Sequence, residues 1–238
     1  MYGKEFADIY VAFYEGTGKD YTAEAKEVHQ LITERHPGAG SLLDTACGTG
    51  PHLRAFRDLF GHVEGVELSA AMVAGAREHL PTVPVHQGDI RDFELNRTFS
   101  AVTCMFSSIG HVGSTAELDA TLQRFAAHLE PGGVIVIEPW WFPDTFLEGY
   151  AGGGTATDGP RVIARLSHTT RKGRETRVTV HIAVTDPETG IHHFTDDYPL
   201  HLFERSEYEA AFRGAGCTVE YLPGSGALGR GLFVGTRT

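Results

Sequence analysis

Leu42-Leu43-Asp44-Thr45-Ala46-Cys47-Gly48-Thr49-Gly50 is the stretch that decides the fold. Apolar residues lead into an acid, and a turn of small residues closed by Gly48 and Gly50 follows. Glycine permits a tight turn and lets bare backbone come close to a ligand. Pro51 suits the first position of a helix, where a missing N–H costs nothing. Strand, glycine turn and helix open a nucleotide-binding α/β domain. A phosphate-cradling loop would continue Gly-Lys-Ser/Thr, but Gly50 is followed by Pro51-His52. A dinucleotide site wants a third glycine three residues past the second, and Leu53 stands there. An acid just before the turn repels a diphosphate and favours a cation.

The neighbouring segments repeat this logic. Val63-Glu64-Gly65-Val66-Glu67-Leu68-Ser69 reads as a second strand ending in Glu67, 23 residues beyond Asp44. That is near the spacing at which an acid binds a ribose diol. Ser69 is an N-cap for a helix through Met72, Ala76 and Leu80. Residues 83–90 read as a short strand and a loop, with Asp89 placed to accept from an adenine amino group and Ile90 to lie against the ring. Residues 99–106 read as a fourth strand whose end faces the same crevice. Open α/β sheets bind ligands at such strand ends. The sulfonium and ammonium of S-adenosylmethionine are cations of the kind these acids favour.

Over residues 42–133 the chain resembles the class I S-adenosylmethionine-dependent methyltransferases. The likeness rests on Asp44 through Gly50, Glu67, Gly88-Asp89-Ile90 and Leu129-Glu130-Pro131-Gly132-Gly133. That last run reads as a helix end and a proline-glycine turn before a fifth strand at 134–137. Ala46 replaces the first glycine of the family motif and is still small. A closer likeness spans nearly the whole chain. Met1-Tyr2, Ala7-Asp8-Ile9-Tyr10, Phe13-Tyr14, Gly18-Lys19-Asp20-Tyr21, Met105-Phe106-Ser107-Ser108-Ile109-Gly110, Glu138-Pro139-Trp140-Trp141-Phe142-Pro143 and Gly229-Arg230-Gly231-Leu232-Phe233-Val234-Gly235 are similar to the N,N-dimethyltransferases of dTDP-linked amino sugars. Those enzymes make the dimethylamino sugars of macrolide-type antibiotics, such as desosamine and mycaminose. The resemblance implies a doubly wound, mostly parallel seven-stranded α/β sheet with an inserted antiparallel sheet. It implies S-adenosylmethionine as cofactor, held by Tyr14, Tyr21, Asp44, Ala46, Cys47, Gly48, Gly50, Glu67, Leu68, Met72, Asp89, Ile90 and Met105. It also implies a nucleotide-sugar substrate; composition and spacing alone do not.

With 238 residues the chain can bury a sizeable core as one domain with an appendage. Hydrophobic residues at 41% and charged ones at 21% suit a soluble globule. No apolar run reaches the roughly 20 residues of a membrane helix, and the polar start Met1-Tyr2-Gly3-Lys4-Glu5 lacks the apolar stretch of a signal peptide. Cys47, Cys104 and Cys217 fall in apolar settings, as buried thiols of a reducing cytosol would. A net charge of −11 argues against a nucleic-acid substrate. No membrane partner and a cytoplasmic location are expected.

Residues 22–35 read as a helix with Ala25, Val28, Leu31 and Ile32 inward. Ser114-Thr115-Ala116-Glu117 reads as a capping box. After Pro143 the pattern changes. The four glycines of residues 149–154 suggest a mobile loop. Alternating runs at 161–169, 174–185 and 191–203 predict an inserted antiparallel sheet. A helix at 207–214 and strands at 218–221 and 232–236 complete the core. The expected organisation is a cofactor-binding core with an N-terminal lid at 1–145, an insert for substrate binding or dimerisation at 146–203, and a return to the core at 204–238. An exposed face on the insert leads to the expectation of a homodimer.

Methyl transfer from a sulfonium mainly requires nitrogen and methyl carbon to be held in line, roughly 3–3.5 Å apart. The nitrogen must be uncharged. Tyr14 can orient a proton and face the sulfonium with its ring; His111 is a candidate base near neutral pH. Positioning is expected to carry most of the rate. A diphosphate calls for cations, and arginine suits bidentate contacts. Arg161 and Arg165 fall on one face of a strand, Arg230 lies in the tail motif, and Arg171, Arg174 and Arg177 flank a turn. Trp140, Trp141, Phe142 and Tyr150 offer faces for a base or a sugar, and the resemblance adds Ser107. Thirteen histidines invite a metal, but no His-x-x-x-His or Cys-x-x-Cys occurs, so none is expected. Gly-x-Ser-x-Gly is also absent, and a nicotinamide enzyme is opposed by Leu53. Alternatives at this point are an N- or O-methyltransferase with another small acceptor, and a non-catalytic S-adenosylmethionine-binding protein.

Overall fold

β1 (Ser41–Thr45) lies in the interior of a seven-stranded sheet in the computed structural model, which describes residues 3–226 and 229–238. Met1-Tyr2 of the resemblance lies outside the described residues. β1 pairs in parallel with β2 (His62–Glu67) on one side and β4 (Phe99–Cys104) on the other. Both faces are covered, so Leu42, Leu43, Val66, Ala101 and Val102 are buried with almost no exposure. β3 (Val85–Gln87) forms the edge beyond β2. Beyond β4 come β5 (Leu129–Ile137), parallel to it, then β11 (Leu232–Thr236), antiparallel to β5, and β10 (Glu220–Leu222), antiparallel to β11 and so aligned with the other strands. The order β10-β11-β5-β4-β1-β2-β3 reverses direction between β1 and β4. That switch point opens a crevice at the carboxyl ends of the strands.

The helices α1 (Lys4–Gly16), α2 (Tyr21–Arg35), α3 (Pro51–Phe56), α4 (Ala70–His79), α5 (Thr115–Ala127) and α6 (Arg205–Gly214) cover the sheet and crevice. Asp20 caps α2 by accepting from the Ala23 N–H at 2.9 Å, so this helix starts one residue earlier than its apolar pattern suggests. Ser69 caps α4 as expected. Ser114 accepts from Glu117 N–H, but the Glu117 carboxylate accepts from Gly113, one residue outside the expected box. A reciprocal box is instead made by Glu204 and Glu207 at the start of α6.

The insert is an antiparallel meander of four strands, not three: β6 (Ala151–Asp158), β7 (Arg161–Lys172), β8 (Glu175–Asp186) and β9 (Gly190–His201). The expected mobile loop at 149–154 is largely strand. Its glycines mark close approach rather than freedom. A Cβ on Gly153 would sit 2.7 Å from the Arg165 carbonyl oxygen, and one on Gly154 would be 3.2 Å from Thr17. β5 likewise begins at Leu129, five residues before the expected start. Pro131 and Gly132 are accommodated where its register against β4 shifts, and Gly132 takes a φ of +79°. Ile163, Val180 and Ile182 on the inner face of the insert pack against Phe6, Ile9 and Phe13 of α1 and Met72 of α4. The N-terminal helix is therefore held between the insert and α4, with Tyr10, Phe13 and Tyr14 lining the cavity. Cys47, Cys104 and Cys217 are free and buried.

Candidate active site

A cavity of about 540 Å³ occupies the switch point and runs out under the insert. Its inner wall is the β1–α3 turn. Gly48 has a φ of +58° and nothing within 4 Å of where its Cβ would stand, a space that any side chain would fill. Ala46 takes a φ of +53°, a left-handed conformation that costs an L-residue about 1–2 kcal/mol. The sequence reading allows for its size but not for this conformation. Glu67 closes the turn: its Oε2 accepts from Gly48 N–H at 3.0 Å and its Oε1 from Ser69 N–H at 2.8 Å. Each oxygen retains a lone pair for a further donor. Burial raises the Glu67 pKa. Asp44 is buried beneath, accepts from Thr103 Oγ1 at 2.7 Å, and is pushed up to about 6 by burial. Asp89 differs, because the Arg91 guanidinium grips both its oxygens and holds its pKa down.

Leu68, Met72, Ile90 and Tyr14 complete this half of the cavity. The Tyr14 ring meets Phe106 edge-on at 4.9 Å, and burial pushes its pKa up to about 12, so it stays a phenol. Five residues expected to touch the cofactor line no part of this cavity. Asp44 lies beneath its floor, 1% exposed, and can act on the cofactor only through its charge. Cys47 turns its sulfur beneath β2, where a Cβ on Gly65 would meet it at 2.7 Å. Gly50 borders a separate small hollow with Pro51 and Leu80. Tyr21 is buried against the edge of His52, and Met105 is buried in the core.

The outer half is built from the three motif strings that are far apart in sequence. The Arg230 guanidinium sits in the corner made by the Trp140 and Trp141 rings, which stand at 87° to each other, and lies 4.5 and 4.4 Å from their centroids. Its Nη1 donates to Ser107 Oγ at 3.2 Å, and Tyr221 OH donates to the Arg230 carbonyl at 2.5 Å. Trp140 is itself fixed by its Nε1, which donates to Thr176 Oγ1 at 3.1 Å. Arg230, Ser107, Trp140, Tyr150 and Arg165 all line the cavity. Arg165 has a buried Nε with no hydrogen-bond partner, while its Nη1 donates to Ser167 at 3.2 Å.

Arg161 shares the face of Arg165 but pairs with Asp158 at the far end of the hairpin, outside the cavity. Four residues along a strand is about 13 Å. Phe142 turns inward onto Tyr221 and Phe233. Arg174 and Arg177 pair with Glu207 and Asp197 on the exposed side. His111 lines the cavity, but burial pulls its pKa down to about 4, against the expected base near neutral pH. Sequence reasoning assigns no role to Arg91 or to Glu138. The bidentate Arg91 was signalled only by its position two residues after Asp89, and Glu138 only by its place in a motif.

The arrangement has a cradle of bare backbone, two buried carboxylates with raised pKa values and a ring-lined wall. It fits a cation carrying a ribose, and the fold with this crevice defines a class I S-adenosylmethionine-dependent methyltransferase. Residues 42–133 match the model of a methyltransferase domain family. The dTDP-3-amino-3,4,6-trideoxy-alpha-D-glucopyranose N,N-dimethyltransferase of Streptomyces venezuelae is 53% identical over 99% of both chains. The dTDP-4-amino-2,3,4,6-tetradeoxy-D-glucose N,N-dimethyltransferase of Saccharopolyspora spinosa is 49% identical over 100% of this chain and 94% of that one. Among solved structures, DesVI of Streptomyces venezuelae superposes with a TM-score of 0.95 at 52% identity, covering 100% of both chains. A SAM-bound amino pentose methyltransferase of Micromonospora echinaspora gives a TM-score of 0.87 at 46% identity, covering 100% of this chain and 98% of that one. The chain belongs to the family of S-adenosylmethionine-dependent N,N-dimethyltransferases of dTDP-linked amino sugars.

Proposed function

We propose that this protein methylates, twice, the amino group of a dTDP-linked deoxy amino sugar in antibiotic sugar biosynthesis, with the nucleotide diphosphate at Arg230. The observation that carries this reading is the Arg230 guanidinium packed on two tryptophan rings in the same cavity as the buried Glu67. S-adenosylmethionine, when bound, supplies an electrophilic methyl group on its sulfonium. Gly48 and Ala46 offer backbone to its amino-acid part, Asp44 balances positive charge, Glu67 accepts from the ribose hydroxyls, and Asp89 with Ile90 holds the adenine. Leu68 and Met72 pack on it.

Arg230 and Arg165 take the anionic part of the sugar nucleotide, and Trp140, Trp141 and Tyr150 offer it aromatic faces. Ser107 helps to seat the acceptor. Tyr14 orients the acceptor nitrogen through its phenol. His111, neutral at physiological pH, holds its place as a hydrogen-bonding group and takes no proton. The acceptor amine therefore reacts as its uncharged fraction, and alignment inside a water-poor cavity supplies most of the rate.

We also read residues 1–145 and 204–238 as the cofactor-binding core and 146–203 as the unit for substrate binding and pairing of two protomers. Support comes from the exposed Val162, Leu166 and Ile191 on the insert. A cytoplasmic site of action agrees with this substrate class, and among the described residues no helix is long and apolar enough to cross a membrane. The test is to mix protein and S-adenosylmethionine with dTDP-3-amino and dTDP-4-amino deoxy sugars and weigh the products. Addition of one and then two methyl groups to at least one of them is expected. No methylation of either by folded protein that binds the cofactor would sink the proposal.

A further inference from the structure

Glu138 directly follows β5 and has no exposure to solvent. Its Oε2 accepts from the Phe106 backbone N–H at 2.8 Å. The next residue in each segment makes a second tie: Ser107 Oγ donates to the Pro139 carbonyl at 2.8 Å. Phe106 and Ser107 are consecutive non-glycine residues with φ of 55° and 63°. Left-handed backbone is unfavourable for residues with a Cβ and persists where the surroundings over-determine it, commonly at functional sites. Here residues 138 and 139 provide two such ties. The turn they hold faces both halves of the cavity. The Phe106 ring abuts Tyr14, and Ser107 Oγ lies 3.2 Å from Arg230 Nη1. Glu138 is also the negative charge that supports the Arg230 guanidinium against its burial.

We infer that Glu138 is a positioning residue for methyl transfer: its carboxylate fixes the Phe106-Ser107 turn against which the acceptor amine is aligned, and tempers the charge that Arg230 presents to the diphosphate. This rests on the reading of Arg230 as the diphosphate's partner. The two roles have opposite signs. Loosening the turn slows the chemical step, whereas removing the carboxylate charge leaves Arg230 a stronger anion site.

Three variants separate these effects, with kcat, the S-adenosylmethionine KM and calorimetric binding of dTDP as readouts. Glu138→Gln keeps the shape and loses the charge. It should lower kcat about threefold or more, since a neutral acceptor bonds less strongly, while dTDP binds about twofold or more tighter and the cofactor KM stays within about twofold. Glu138→Asp keeps the charge and shortens the reach. It should lower kcat about tenfold or more and leave dTDP affinity within about twofold of the parent. Arg230→Ala should weaken dTDP binding and spare cofactor binding. Wild-type kcat in both Glu138 variants, or dTDP affinity falling with kcat in both, overturns the inference alone, provided Arg230→Ala weakens dTDP binding. Unchanged dTDP affinity in Arg230→Ala overturns the diphosphate reading and this inference together.

Discussion

Asp44 and Glu67 show how a binding site is carried at the cost of stability. Burial raises both carboxyls. A carboxyl with a raised folded-state pKa adds stability in its protonated form, below the unfolded pKa near 4. That contribution is lost as pH rises through the folded value, about 6 for Asp44. At neutral pH the ionised pair strains the fold, and a bound cation relieves it. S-adenosylmethionine should therefore bind more weakly as pH falls through about 6, and its thermal stabilisation of the protein should be larger at pH about 7.5 than about 5.5; calorimetry and thermal melts across that range check both. Glu67→Ala should raise the cofactor KM by more than about tenfold, or about 1.4 kcal/mol, and an unchanged KM would remove Glu67 from the site. His111, held down to about 4, is already neutral throughout the working range. His111→Gln should lower kcat while leaving the shape of the kcat/KM profile between about pH 6 and 9 unaltered; loss of an ascending limb would make it a base after all.

At the scale of elements, the glycine turn depends on its neighbours as much as on its own residues. A Cβ on Gly65 of β2 would lie 2.6 Å from Leu53 Cδ1 of α3 and 2.7 Å from Cys47 Sγ. Gly65→Ala should force the start of α3 away from the sheet, with a loss of about 1–3 kcal/mol and weaker cofactor binding, read by thermal unfolding and calorimetry. A wild-type melting temperature would show that Leu53 yields freely. The same elements show what local pattern conveys. β1 and β2 are legible because short buried runs end at the acids Asp44 and Glu67, and β4 because residues 99–104 are small or apolar throughout. β6 is not, because glycine marks equally a free loop and a strand pressed against another backbone. The start of β5 is masked by Pro131 and Gly132, which imply a turn unless a register shift absorbs them.

For the whole molecule, the inserted sheet has two uses on its two faces. Its inner face holds α1 over the crevice and carries Arg165 into the cavity. On its outer face Leu166 and Ile191 are 68% and 75% exposed. A dimer formed through that face should appear in light scattering at twice the chain mass, and Leu166→Asp with Ile191→Asp should return it to a monomer with the cofactor site intact. A monomeric parent would remove the insert's role in pairing.

By itself the sequence determined the strand-end acids, the glycine turn, the seven-stranded core and the alternation of the insert. Each is set by constraints within a few residues: allowed backbone angles, side-chain period and where apolar runs stop. Tertiary structure alone decided which arginine serves the cavity. Arg161 and Arg165 share a strand face, yet only Arg165 reaches it. It also decided that Ser107 meets Arg230 across 123 residues, and that Glu138 ties the turn between them. Such meetings depend on how sheets stack and chains cross, and nothing within a short window of residues encodes them.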